Sequence, residues 1–133
     1  TRMAWAGINK RALEKSGSNL RCYIDDEGVK MLAQKNGTTR ASAAIDIACK
    51  DKVDIYVIGN APTALFRVGE LLKQGKIAPS LIIGVPVGFV GAAEAKDFIR
   101  ELEIPSITTR GTKGGSNVAA SIVNALLYMA VGR

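Results

Sequence analysis

Histidine is absent from all 133 residues of this chain, so nothing within it offers an imidazole for proton transfer near neutral pH or for metal binding. Aromatic residues are scarce at 5%, and the cations are scattered rather than clustered. Both features argue against nucleic acid, which needs stacking faces and a basic patch. A net charge of +6 still suits some anionic partner. No apolar run approaches the roughly 18 to 20 residues of a membrane span, and no segment reads as a signal peptide. The only cysteines are Cys22 and Cys49. With 47% hydrophobic residues available for a core, buried thiols in a reducing, cytoplasmic setting are the expectation rather than a disulfide. The nucleotide signatures G-x-G-x-x-G and G-x-x-x-x-G-K-[ST] are also missing, which removes the usual support for a dinucleotide or nucleoside triphosphate.

What is present is a regular alternation over a single domain, residues 1–133. Residues 20–24 read as a short strand, with Asp25 or Asp26 capping a helix to about Lys35. Thr38 or Thr39 caps a second helix through the alanine-rich stretch to Cys49. Residues 53–58 form a buried strand rich in β-branched side chains, ending at Gly59. Pro62 suits the first turn of a helix that Gly75 stops. A strand over 81–85, a helix over 92–102, a strand over 105–109 and a helix over 116–129 complete the series. Such alternation predicts a three-layer α/β/α domain around a doubly wound, mainly parallel sheet.

In such folds ligands bind beyond the carboxyl ends of the strands, and three glycine-bearing loops fall there. The first carries Asn60, Ala61 and Thr63 around Pro62. The second carries Gly84, Pro86, Val87, Gly88, Phe89 and Gly91. Almost wholly apolar, it is expected to be walled by a large partner or by a ligand with an apolar face. The third carries Arg110, Gly111, Lys113, Gly114, Gly115 and Ser116, two cations and three glycines with a hydroxyl at a helix start, and reads as an anion cradle. Thr39 and Arg40 open a further helix, where Arg40 either reaches an anion or is simply solvated. Asn60 either touches a ligand or caps the next helix. Glu94 and Lys96 are expected on an exposed helix face, and Met3 and Trp5 as packing residues.

Residues 59–65, the 84–96 run and residues 110–116 together resemble the precorrin-8X methylmutase family. Asn36-Gly37-Thr38-Thr39-Arg40 followed by Ala43-Ala44 fits the same family, as does Met3 to Ile8 leading into Leu20-Arg21-Cys22. The resemblance covers the whole chain. It implies a flavodoxin-like fold and an isomerase that moves a methyl group on ring C of a corrin precursor without metal or organic cofactor. It also implies a corrinoid substrate and product, Arg40 as an active-site arginine, and the three loops as substrate walls. The family's proton donor is a histidine, so the resemblance places it upstream of Thr1, on a companion segment that also carries a strand. The chain is then expected to be the C-terminal portion of the enzyme, in a homodimer of the complete unit. Two other readings are a non-catalytic tetrapyrrole-binding module and an α/β protein holding a smaller phosphorylated ligand on the third loop.

Overall fold

The computed structural model describes all 133 residues. Two short helices, α1 (Arg2–Gly7) and α2 (Lys10–Lys15), precede α3 (Val29–Asn36) and α4 (Arg40–Ala48). Strand and helix then alternate: β1 (Ile55–Ile58), α5 (Pro62–Lys73), β2 (Leu81–Gly84), α6 (Ala92–Glu101), β3 (Ser106–Thr108) and α7 (Ser116–Val131). The strands are parallel and lie in chain order, β1-β2-β3. Ile55 pairs with Leu81, and Ile82 with Ser106.

Alternate strand residues point to opposite faces, and that alternation builds the layers. Tyr56, Ile58 and Ile82 enter one cluster with Leu65, Val68 and Leu71 of α5 and Ile99 of α6, where Ile45 of α4 joins them. Val57 and Val85 enter the other, with Ala4 of α1 and Ala119 of α7. Helices therefore cover both faces of the parallel sheet, in three layers.

Two expectations about the first half fail. Residues 20–24 are not a strand. Arg21 there reaches Asp26 at 2.5 Å and Asp51 at 3.1 Å, while the Tyr23 hydroxyl donates to Asp51 at 2.7 Å. These polar ties hold the segment without any strand partner. Neither Asp25 nor Asp26 caps α3. Asp25 faces Arg2 at 3.4 Å and Asp26 faces Arg21, so both carboxylates are engaged, and Gly28 begins the helix at φ 88°. The later elements match their predicted spans to within a residue or two.

The hydroxyl of Tyr56 is buried without a hydrogen-bond partner, and burial, with smaller contributions from Cys49 and Tyr23, pushes its pKa up to about 12. Such an orphan costs about 1–3 kcal/mol. Because the folded state resists ionisation while the unfolded chain ionises from about pH 10, stability is unaffected by this ionisation below pH 10 and falls as pH rises towards 12. Tyr56→Phe is expected to raise unfolding free energy by about 1–2 kcal/mol at neutral pH and to reduce the alkaline loss. Urea titrations of both proteins at pH 7 and above pH 10 check this, and a destabilised variant would mean that the hydroxyl has a partner.

Candidate functional site

Three adjacent parallel strands ending together deliver the loops that follow them to one rim. Val85, fully buried just beyond β2, ties these loops together. Its N–H donates to the Ile58 carbonyl at 2.8 Å, and its own carbonyl accepts from the Gly115 N–H at 2.8 Å. Gly88 N–H donates to the Thr112 carbonyl at 2.9 Å, a second link between the middle and last loops. Gly114 packs so closely that a Cβ there would lie 2.2 Å from the Val85 oxygen. No side chain fits.

The middle loop turns on Gly88 at φ 130° and Gly91 at φ 88°, conformations that favour glycine. Between them Phe89 and Val90 stand 93% and 89% exposed. Helices α5, α6 and α7 all start at this rim, from Ala61, Gly91 and Gly115, and none has a side-chain cap. Their free N–H groups and positive dipole ends thus remain available to an anion. Arg110 and Lys113 are exposed beside them, and neither pairs with a carboxylate. An apolar tip flanked by unpaired positive charge can hold a ligand with an apolar face and an acidic fringe.

The residues expected at the site fall into two groups. An open cleft of about 1010 Å³ runs along the outer edge of β1, bounded by α1, α4 and residues 17–25. Arg40, Asn60 and Ala61 line it, whereas the middle and last loops do not. Thr39 caps α4 by accepting from the Ser42 N–H at 3.1 Å, and its hydroxyl lies 2.9 Å from that of Thr63. That contact holds the start of α4 against the start of α5. The Asn60 side chain makes no hydrogen bond within the chain and is not the cap of α5, so its amide is open to the cleft. The Ser116 hydroxyl sits 2.6 Å from that of Thr1, which brings the start of α1 to the start of α7. Met3 and Trp5 are exposed rather than packed: α1 turns Ala4 to the core instead, and Lys10 lies over the Trp5 ring at 4.2 Å. No three His, Cys, Asp or Glu side chains gather as a metal site would need.

Lys96 overturns another expectation, being fully buried. Its Nζ donates to the Thr109 hydroxyl at 3.1 Å and to the Lys113 carbonyl at 2.8 Å. Burial pushes its pKa down, and nearby Arg100 adds to the effect while Asp97 opposes it. The signal was in the spacing. Ala92, Ala95, Lys96 and Ile99 follow the i, i+3, i+4, i+7 stripe of a core-facing helix, and all four are buried.

Gly114→Ala is expected to cost about 2–3 kcal/mol, since the added carbon must displace backbone rather than a mobile side chain. Gly111→Ala, with open space at its Cβ but φ 74°, should cost less. Thermal unfolding of the two variants gives the order, and equal losses would contradict the packing.

The family model described as precorrin-8X methylmutase matches residues 1–129. The cobalt-precorrin-8 methylmutase of Salmonella typhimurium is 52% identical over 130 residues, which cover 96% of this chain and 60% of that protein. That of Methanocaldococcus jannaschii is 49% identical over 85% of this chain and 54% of its own length. Among solved structures, a precorrin-8X methylmutase related protein superposes with a TM-score of 0.88 at 38% identity, covering 97% of this chain and 68% of that one. The chain thus spans 60% or less of the length of these two curated relatives. A match that runs through all three rim loops, at this identity and with this superposition, leaves one conclusion: the chain belongs to the precorrin-8X methylmutase family.

Proposed function

We propose that this chain supplies the substrate-binding rim of an isomerase of cobalamin biosynthesis. The enzyme moves a methyl group on ring C of precorrin-8X or cobalt-precorrin-8 to give hydrogenobyrinic acid or cobyrinic acid. One observation carries the reading: the exposed Phe89–Val90 tip stands among uncapped helix starts and unpaired cations. A flat apolar macrocycle fringed with carboxylates matches both halves of that surface. The apolar loop meets the ring, and Arg40, Arg110, Lys113 and bare N–H groups meet the acids through charge-assisted bonds.

The proton that starts the migration comes, on this reading, from a histidine outside these 133 residues, since none lies within them. Its carrier is a companion segment whose strand docks on the outer edge of β1. Two features support that place. The strand order does not reverse within β1-β2-β3, so β1 ends the sheet on the side of the cleft. An open strand edge beside an apolar cleft also invites pairing. The complete unit is proposed to be a cytoplasmic homodimer.

Arg40→Ala and Arg110→Ala are each expected to weaken binding of hydrogenobyrinic acid by about 1.5–3 kcal/mol, with the fold intact. Absorbance titration measures this, and parental affinity in both variants would place the site elsewhere. The chain alone is expected to give no conversion of precorrin-8X, and to gain turnover and mass, by light scattering, when a histidine-bearing segment of a relative is supplied. Turnover by the 14.1 kDa chain alone would refute the assignment of the donor.

A further inference from the structure

Lys96 differs from every other cation in the chain: it is fully buried, and no carboxylate touches it. The neighbouring Asp97 pairs with Arg100 instead. Isolating an ammonium from water without an anion is costly, and a methionine would fill the same space. What the charge achieves is visible in its two bonds. Thr109 Oγ1 and the Lys113 carbonyl stand at opposite ends of the last loop's turn, and Thr109 Oγ1 itself donates to that carbonyl at 2.6 Å. Lys96 closes the turn from below. Arg100, one helical turn on, braces the strand end by donating to Thr108 Oγ1 at 2.8 Å and the Thr109 carbonyl at 3.2 Å. Both side chains come from α6, the helix that begins at Gly91 where the apolar loop ends.

We infer that Lys96 is the positioning residue of the rim, a buried clamp on the 109–113 turn that sets where Arg110 and the start of α7 meet the acidic fringe of the ligand. Lys96 touches no ligand itself. It also makes the middle and last loops one unit, because displacement of α6 by the apolar loop carries the clamp with it. The ligand half of this inference rests on the corrinoid reading above, whereas the clamp itself does not.

The test compares the full chain with Lys96→Met, Thr109→Val and Arg110→Ala. In Lys96→Met, amide exchange over residues 110–116 should quicken about tenfold while that of Ile82 and Ile83 stays parental, since the opening is local. Hydrogenobyrinic acid affinity should fall about tenfold, and adding Arg110→Ala should cost much less than it does in the parent, because coupled residues are non-additive. Thr109→Val, which removes only the hydroxyl between the two ends, should shift exchange and affinity in the same direction and serves if Lys96→Met does not fold. Parental exchange in the loop, or losses for Lys96→Met and Arg110→Ala that simply add, would overturn the proposal. Should the parent itself bind no corrinoid, the functional reading falls. The exchange comparison then still decides the clamp.

Discussion

The peptide groups of Val85 are the constraint on which the rest of this molecule depends. One residue past β2, its N–H is committed to the end of β1 and its carbonyl to the start of α7. All three rim loops are therefore referenced to a single buried backbone position. The glycines of the last loop follow from this, because Gly114 must pass the Val85 oxygen at a distance that no Cβ survives. So does the apolar character of residues 85–86, which lie under the rim and are sealed from water. Backbone bonds of 2.8 Å already hold the loops together, and a surface ordered in advance meets a rigid ligand at a lower ordering cost on binding.

Above that constraint sits a division of labour between the two ends of the sheet. At the middle, β2 is covered on both faces and bonded to β1 on one side and β3 on the other. At β1 the outer edge is bare, with an open cleft beside it and only a non-paired segment across the way. Arg40 and Asn60 open on that cleft, whereas the apolar tip and the cationic loop open above β2 and β3. A substrate wide enough to touch both groups spans the carboxyl ends of all three strands. On the proposed reading a corrin-sized ring meets that demand, whereas a small phosphorylated ligand would need the last loop alone.

Much of this was legible from residue pattern. β-branched runs closed by glycine gave β1 and β2, and Pro62 and Gly75 bounded α5, because local chemistry and tertiary packing agree there. The failures share a cause. Residues 20–24 carry a strand-like apolar pattern, but a strand is made by its partner, and here Arg21 and Tyr23 are bound to Asp51 and Asp26 across the chain. The aspartates at 25 and 26 looked like caps until ion pairs with Arg2 and Arg21 claimed them. Lys96 looked solvated because of its type, although its spacing on α6 placed it inside. At Lys96 residue type misled and periodicity was the better guide, whereas at residues 20–24 the apolar pattern itself misled.

The missing imidazole fits the electrostatics of this rim. Its charge is mainly positive, from Arg110, Lys113 and helix starts, with Glu94 the one carboxylate in the first turns of α5, α6 and α7. A histidine among these positive groups would have its protonated form disfavoured. A general acid must hold its proton until the substrate arrives, which such surroundings oppose. A carboxylate-rich ligand would change that balance on docking, by neutralising the rim and adding negative charge nearby. On the proposed reading, an imidazole brought in along the β1 edge would stand apart from Arg110 and Lys113, on the side where Arg40 opens, and be charged by the substrate's own acids. On that reading the proton donor and the last loop lie apart, and the bare edge of β1 is the direction from which the donor arrives.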